Sequence, residues 1–486
     1  MGRSYSPQHR FDCDPVTAIQ LNLECRDEII PILAALQHIY ANAELRAELL
    51  QLIGHDVNDD SSADHGREGM GYWHILVLAA VRLGCNLDYE KLQDLAENHR
   101  KLRHMMGVGD WDEETTFNWR TIRNNLCLLR TETVTKIYQL VVSEGHKLNA
   151  DAATTSRADS FVVETNIHYP TESGLIVDGI RKIIELCAPL AILLGIAGWR
   201  QHAHLLKKVK GLHRKLSRIS RSNSPKSKAR QKRLYQRLLK RAEGIIALAE
   251  TLVEQAETDS VDVLAKMADI RTFIGRTRQV ANTAYRRVIL GETVPNEDKL
   301  FSIFEPHTQL YRRGKAAKPN QFGRLVLIYE DGAGFVTHHY LLPRDAQDAD
   351  VIVPQTRVVQ DLLGGRVTDL SLDRGFYTAE NENALRGIIA NPCLPKRGAK
   401  EFGEQLKTAP VRFRNARQRH PGVESAIGAL QAGNGMERCR DRTEVGFERY
   451  LALAILGRNL HTLGRILITQ HAPESLAATS KRKDAA

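Results

Sequence analysis

The chain has 486 residues and a formal net charge of +10, with 42% hydrophobic and 26% charged residues. This length suggests about two to four domains, each with enough apolar sequence for a buried core. No apolar run reaches the roughly 18 residues of a membrane span, and the longest candidate, residues 186–199, is too short. The first residues lack the basic and then apolar layout of a signal peptide, so we expect a cytoplasmic protein with no membrane contact.

Seven cysteines are scattered through the sequence and never form a C-x-x-C pair. Their odd number and irregular spacing argue against a disulfide framework and against a structural zinc site. Free cysteines of this kind fit a reducing compartment.

Residues 1–150 are predicted to be helical after a polar start. Apolar residues recur with the 3.6-residue period of a helix between positions 74 and 141, and the Asp/Ser/Gly-rich segment 57–69 is typical of a linker. Short helices with tight connections are typical of helix-turn-helix DNA-binding units, although any small helical domain has the same pattern. We expect a DNA-binding and dimerisation region here.

The pattern changes near residue 157. The segment RADSFVVETNIHYP (157–170) is rich in β-branched residues and ends at a proline, which predicts a strand that carries Asp159. Residues 175–299 return to helical periodicity, with a break at SRSNSPKS (220–227). The simplest interpretation is an antiparallel helical hairpin with a basic tip.

The positive charge is concentrated in this helical segment. Residues 200–241 contain 16 Lys and Arg and no Asp or Glu, whereas the other 52 basic and 58 acidic residues give a net charge of −6. Concentrated positive charge favours a polyanion such as DNA, because each neutralised phosphate releases counterions. A solvated pair of charged helices is the alternative. The predicted DNA contacts are Lys207, Lys208, Lys210, Arg214, Lys215, Arg230, Lys232 and Arg233.

From residue 300 the strand pattern resumes. Residues 324–343 predict a hairpin around EDGAG, a helix closed by glycines follows, and VTDLSLD (367–373) alternates apolar and polar residues as a strand with one buried face does. Thr378 is placed to cap the next helix, and the C-terminal part is helical. The fold class is therefore multidomain α + α/β. A mixed-sheet core from 151–174 and 300–470 is split by the insertion 175–299, and a disordered tail follows over 471–486.

Three carboxylates lie at the ends of predicted elements. They are Asp159 on the first strand, Asp373 at the end of a later strand and Glu424 at the start of a C-terminal helix. Mg²⁺ prefers oxygen ligands on rigid elements, and two such ions about 4 Å apart catalyse phosphoryl transfer. Spacing alone does not single these three out from 58 acidic residues.

Three longer segments carry a resemblance. DSFVVETNIHYPTESGLIVDG (159–179), LDRGFYTAEN (372–381) and residues 420–464 resemble the signature blocks of DDE-type transposases of bacterial insertion sequences, of the ISNCY group. Residues 305–334 are similar to the segment between the first and second Asp blocks of the same group, and residues 87–109 to the helical region upstream of its core, so the resemblance touches most of the chain.

The resemblance implies an RNase H-like catalytic core in which Asp159, Asp373 and Glu424 bind two Mg²⁺ or Mn²⁺ ions. It also implies cleavage of double-stranded DNA at transposon ends and joining of the 3′ hydroxyls to target DNA. A homodimer or higher oligomer on DNA is expected, since two ends must be brought together. The location implied is the bacterial cytoplasm, at the nucleoid.

Two departures from the family pattern concern neighbours of the three acids. Phe161 stands where the family often has Thr, which we interpret as strand packing. Gln431 and His420 stand where related families often have Lys after and Arg before the glutamate. These two differences weaken the inferred contacts to the transposon ends, not the proposed metal ligands.

Some alternatives remain open from the sequence. Asp369 shares the predicted strand face of Asp373 and is a rival ligand, whereas Glu164 and Asp178 fit surface positions better. Arg374 fits either a phosphate contact or a surface turn. An RNase H-like nuclease without strand transfer, or a non-catalytic DNA-binding protein derived from a transposase, would share most of these features.

Overall fold

The computed structural model describes residues 11–58, 69–219, 224–312 and 319–471. The chain divides into two compact units, Met1–Asn166 with Arg324–Ala486, and Ile167–Gly323. The predicted insertion, residues 175–299, lies inside the second unit, and the N-terminal helices belong to the unit that contains most of the sheet. Apart from residue 471, the predicted tail 471–486 lies outside the described residues, as does most of the predicted linker.

The first unit is mixed α and β. Its N-terminal helices are α1 (Ile29–Ala41), α2 (Ala43–Asn58), α3 (Tyr72–Gly84), α4 (Tyr89–Asn98), α5 (Arg100–Met105), α6 (Trp119–Leu128) and α7 (Thr131–Leu148). Its later helices are α12 (Asp348–Leu362), α13 (Ala379–Arg386), α14 (Ala399–Thr408), α15 (Val411–Arg419), α16 (Gly422–Gly433) and α17 (Glu444–His471).

The core of this unit is built around α17. This helix packs against α1, α3 and α7, and its residues Leu451 to Leu456 are all buried. Within the described residues it is also the one helix long and apolar enough to cross a membrane, with a mean hydropathy of 1.3 over a window that is 72% buried. Its apolar character is therefore accounted for by its place at the centre of a helical core.

A mixed sheet of six strands lies mostly in this unit. The strands are β1 (Thr155–Glu164), β2 (Gln309–Tyr311), β3 (Gln321–Asp331), β4 (Val336–Leu341), β5 (Asp369–Ser371) and β6 (Asn391–Cys393). β2 and the residues 321–323 of β3 with which it pairs belong to the second unit. Their order is β2-β3-β1-β5-β6, with β4 paired to β3. β5 is parallel to both β1 and β6, and β4 is antiparallel to β3. The predicted multidomain α + α/β class is confirmed at this level.

Local sequence explains the strands that flank the site. Val162 and Val163 of β1 and the run Leu325–Tyr329 of β3 are buried, as expected for interior strands covered on both faces. In the β5 segment Leu370 and Leu372 are buried as predicted, but Ser371 is also buried and Thr368 is exposed, so the predicted alternation is confirmed only in part. The Thr378 hydroxyl accepts a hydrogen bond from the Asn381 N–H at 3.0 Å, which confirms the predicted cap of α13.

The second unit is mostly helical. It contains α8 (Glu172–Leu193), α9 (His202–Ile219), α10 (Pro225–Gln255) and α11 (Val261–Ala284), followed by a π-helical turn, Tyr285–Leu290. α8 contacts α9, α10 and α11, and α9 also packs on α10. Their shared core contains Ile180, Ile183, Leu238, Ile246 and Ile270. Trp199 lies at the edge of the basic stretch, and Tyr235 lies within it. Both are buried and belong to this core.

Close backbone packing of α17 generates a stability prediction. A Cβ at Gly464 would lie 1.8 Å from the carbonyl oxygen of Pro31 in α1, so the two helices approach at a distance that only glycine permits. We expect Gly464→Ala to lower the free energy of unfolding by about 1–3 kcal/mol, because backbone must move. Urea unfolding followed by circular dichroism measures it.

The matched control is Gly403→Ala in α14, where an added Cβ has no atom within 4 Å. It should leave the stability unchanged or raise it by up to about 1 kcal/mol, since alanine favours helix more than glycine does. Equal effects of the two substitutions would contradict the packing argument.

Candidate functional site

The two aspartates predicted as metal ligands lie on neighbouring strands. β1 and β5 pair in parallel with Thr155 opposite Asp369 and Arg157 opposite Ser371. Asp159 and Asp373 each lie two residues beyond the last of these pairs, and the backbone at Asp373 is still extended, with φ −87° and ψ 168°. Since side chains alternate along a strand, this register places the two aspartates side by side on one face of the sheet.

The two carboxylates differ in exposure. Asp159 is half-buried on β1, and one of its oxygens accepts a hydrogen bond from the Ser160 N–H at 2.7 Å. The Asp373 side chain is 51% exposed and lies 3.9 Å from a guanidinium nitrogen of Arg417 in α15. Asp373 is therefore open to solvent and to a large ligand, with a cation beside it.

Glu424 lies in the first turn of α16 and is exposed. The residues just before it are tied to the strands that carry the two aspartates. The His420 ring lies 3.2 Å from the Ser371 hydroxyl of β5, and an N–H of Arg157 in β1 donates to the carbonyl of Arg419 at 3.2 Å. The start of α16 is thus held against β1 and β5, on the elements that position Asp159 and Asp373.

The donor set fits a divalent ion through the aspartate pair. Within the described residues, no three His, Cys, Asp or Glu side chains form a group that could hold a metal ion. Mg²⁺ commonly uses one or two carboxylates and completes its coordination with water and substrate phosphates. Asp159 and Asp373 match that pattern, whereas the exposed Glu424 does not join them in such a group.

A cavity of about 410 Å³ is lined in part by strand residues that precede the two aspartates on β1 and β5, and neither aspartate lines it. It is lined by Thr155, Ser156, Arg157, Glu330, Asp331, Gly332, Asp369, Ser371, Arg412, Asn415, Ala416 and Arg419. Asp369, the rival ligand predicted from the sequence, therefore belongs to the cavity wall. Its side chain accepts a hydrogen bond from the Thr368 hydroxyl at 2.7 Å.

Glu330 on β3 is one of two buried acids of this cavity, together with Asp331. It is 2% exposed, and one of its oxygens accepts a hydrogen bond from the Nε of Arg157 at 2.6 Å. Burial raises the pKa of Glu330 above its ordinary value even though the Arg157 guanidinium opposes that shift. An isolated charge is unfavourable in this buried environment, so Glu330 and Arg157 stabilise each other as an ion pair.

His420 occupies a position where related families often have Arg. The ring is buried, and burial together with the nearby Arg417 cation lowers the pKa of His420 to about 4. A neutral imidazole that packs on β5 holds the α15–α16 junction rather than reaching outward to DNA. Gln431 lies half-buried further along α16, and Phe161 is buried, as the strand-packing interpretation predicted.

Arg374 follows Asp373 in the turn. Its guanidinium carbon lies 4.4 Å from the ring centroid of Phe402 in α14, a cation–π contact. A guanidinium N–H of Arg397 donates to the carbonyl of Gly375 at 2.7 Å. This turn is therefore braced by α14, and Arg374 is held beside Asp373 in a defined position.

The basic residues of the second unit lie on exposed helix faces. All eight DNA contacts predicted from the sequence have exposed side chains in α9 and α10. They are Lys207, Lys208, Lys210, Arg214, Lys215, Arg230, Lys232 and Arg233. Apolar neighbours such as Val209, Leu216, Leu234 and Leu238 are buried on the opposite faces. Within the described part of the chain, none of these eight cations forms an ion pair with a carboxylate.

Sequence reasoning missed α15. This helix carries Arg412, Arg414, Arg417 and Arg419 and no acid, and it forms one wall of the cavity. The run RFRNARQR was the available signal, but it is short and directly precedes the block that carries Glu424. Arg157 and Glu330 were missed as well, because their partners are distant in sequence.

The N-terminal helices include a second basic surface. On α6, Arg120, Arg123 and Asn124 are exposed, whereas Ile122 and Leu126 are buried. The guanidinium carbon of Arg120 lies 4.7 Å from the Trp119 ring centroid. This is the part of residues 1–150 with the chemistry expected of a DNA-binding helix.

The chain was compared with protein-family models, with curated proteins and with solved structures, and it matches none of them.

The buried His420 generates a pH prediction. Its pKa of about 4 in the folded chain lies below its ordinary value of 6.5, so the neutral ring stabilises the fold above pH 6.5. That stabilisation declines as the pH falls towards 4, and the decline is about 2 kcal/mol between pH 7 and pH 5. We expect His420→Gln to reduce the pH dependence of unfolding by this amount.

Urea midpoints at pH 7 and pH 5 give the measurement. The matched control is His55→Gln, since the His55 side chain is 74% exposed, and it should keep the wild-type pH dependence. A His420→Gln variant that loses as much stability on acidification as the wild type would contradict the assignment.

Proposed function

We propose that this chain is a DDE-type DNA transposase that cuts transposon ends and joins their 3′ hydroxyls to target DNA. The observation that carries the proposal is the β1–β5 register, which aligns Asp159 with Asp373 on adjacent parallel strands. These are the first two acids of the signature blocks that the sequence resembles. Asp159 and Asp373 are more than 200 positions apart in the sequence, and the pairing of β1 with β5 brings them together.

The sheet topology supports an RNase H-like core. The first strand lies inside the sheet, with the β3–β4 hairpin on one side and the parallel strands β5 and β6 on the other. The helix α12 connects the hairpin to β5, and α13 connects β5 to β6. An RNase H-like core has this order of strands and carries its first two acids on the two central parallel strands.

In this proposal Asp159, Asp373 and Glu424 would hold two Mg²⁺ or Mn²⁺ ions. Such ions supply charge neutralisation at phosphate oxygens and acidify bound water. In this proposal Asp159 and Asp373 would orient the scissile phosphodiester at the sheet, and Glu424 of α16 would supply the third carboxylate. Water attacks in line to free a 3′ hydroxyl, which then attacks a phosphodiester of the target DNA.

The basic surfaces support a DNA substrate. The helices α9 and α10 present eight cations that have no carboxylate partner among the described residues, which suits a phosphate backbone. The Arg374 guanidinium and the arginines of α15 lie beside the aspartate pair, where a bound strand would pass. The N-terminal region, through α6, supplies a further DNA contact, and a homodimer or higher oligomer would bring two ends together in the bacterial cytoplasm.

One experiment tests the catalytic assignment. The protein is incubated with a labelled duplex carrying a transposon end, a target plasmid and Mg²⁺ or Mn²⁺. We expect cleaved and joined products from the wild type and background levels from Asp373→Asn, because that substitution removes a ligand charge with little change in shape. Asp369→Asn is the matched control on the same strand and should retain both products.

The other outcomes separate the alternatives. Cleavage without joining would favour a nuclease. DNA that is bound but left uncut by both wild type and variant would overturn the catalytic proposal and leave a DNA-binding protein. If Asp369→Asn loses activity and Asp373→Asn retains it, Asp369 rather than Asp373 would be the proposed metal ligand.

The salt dependence of DNA binding tests the basic surface of α9 and α10. We expect Lys207→Gln, Lys208→Gln, Arg230→Gln and Arg233→Gln, combined in one variant, to weaken binding. The slope of log affinity against log salt should fall by about 0.9 for each phosphate that the variant no longer neutralises. Fluorescence anisotropy on a duplex over a range of NaCl concentrations measures it.

The control is a single exposed cation outside α9 and α10. Lys266→Gln on α11 changes the charge at an exposed position away from the eight cations and should leave the slope unchanged. A quadruple variant with the wild-type slope would show that α9 and α10 do not contact phosphates.

A further inference from the structure

Arg157 on β1 connects three parts of the first unit. Its Nε donates to the buried carboxylate of Glu330 on β3 at 2.6 Å. Its Nη1 donates to the carbonyl of Arg419, the last residue of α15, at 3.2 Å. The guanidinium therefore joins the centre of the sheet to the junction between α15 and α16.

Gly422, the first residue of α16, lies directly against this guanidinium. A Cβ added at Gly422 would lie 2.1 Å from Nη1 of Arg157 and 2.7 Å from its Cζ. Among the described residues, Gly422 is not one of the glycines with positive φ, so its backbone does not demand glycine. A larger side chain at this position would require the Arg157 guanidinium to move.

The positions along the chain connect these contacts to the proposed acids. Arg157 precedes Asp159 by two residues on β1, so both side chains point to the same face of the sheet. Gly422 precedes Glu424 by two residues in the first turn of α16. Residues two apart on a helix point to different sides, so the docking of α16 on Arg157 sets where the Glu424 backbone lies relative to β1.

We propose that Arg157 is a positioning residue, which docks the start of α16 on β1 and so delivers Glu424 to the Asp159–Asp373 pair. This inference rests on the proposed function of the three acids. The guanidinium is suited to the task because its planar fork donates in two directions at once. Glu330 fixes one edge of the fork, and the Arg419 carbonyl and Gly422 occupy the other.

Arg157→Lys separates the docking role from a general role in stability. A lysine retains the positive charge beside the buried Glu330, which keeps the acid paired. A single ammonium does not reproduce the fork, so it does not also hold the α15–α16 junction. Gly422→Ala attacks the same contact from the other side, because its Cβ displaces the guanidinium.

The experiment compares Arg157→Lys, Gly422→Ala and the double variant with the wild type. DNA cleavage is measured as kcat, KM and the Mg²⁺ concentration for half-maximal rate, and hydrogen exchange by mass spectrometry reports on residues 411–426. Gly428→Ala, on the same helix where an added Cβ meets nothing within 4 Å, is the matched control.

We expect each single variant to lower kcat about tenfold or more and to raise the Mg²⁺ requirement, with KM for DNA within about twofold of wild type. Exchange should become faster over residues 411–426 in both. The double variant should be no worse than the poorer single variant, because both substitutions break one contact. Gly428→Ala should behave as wild type.

Two results would overturn the positioning role. One is faster exchange over 411–426 with unchanged kcat and Mg²⁺ requirement, which would make the contact purely structural. The other is a double variant whose losses multiply, which would show that the two residues act independently. A wild type that does not cleave DNA would instead refute the proposed function, and the positioning role with it, whatever the exchange data show.

Discussion

The parallel pairing of β1 with β5 is the contact on which the site depends. These strands come from segments more than 200 residues apart, and between them the chain forms the whole second unit, the β3–β4 hairpin and α12. Pairing fixes the register, and a shift by one residue would turn Asp373 to the buried face and Leu372 to the open one. The burial of Leu370 and Leu372 sets that register, because both need an apolar environment.

The two units differ in how their positively charged side chains are arranged. The second unit carries cations on exposed faces of α9 and α10, whereas three cations of the first unit near the site contact other side chains. Arg157 pairs with Glu330, Arg374 stacks on Phe402, and Arg417 lies beside Asp373. Under the proposed function the first set would attract DNA independently of its sequence, and the second set would place a strand at the acids.

Much of the local structure was predictable. The strand with Asp159, the hairpin at EDGAG, the cap at Thr378 and the helices of the basic segment follow from periodicity and turn chemistry, and all are present. β5 is shorter than the alternating pattern suggested, since pairing ends at Ser371. The roles of α15, Arg157 and Glu330 were not predictable, because each depends on a partner remote in sequence.

The sequence by itself determined which segments are helix or strand, where the positive charge is concentrated and which acids lie at element ends. These properties depend on neighbours a few residues away, through apolar periodicity, capping and like-charge clustering. Tertiary structure alone decided that Asp159 lies beside Asp373 and that Gly422 packs on Arg157. Backbone pairing uses the same hydrogen bonds at every residue, so only the packing of the whole unit selects the partner strand and its register.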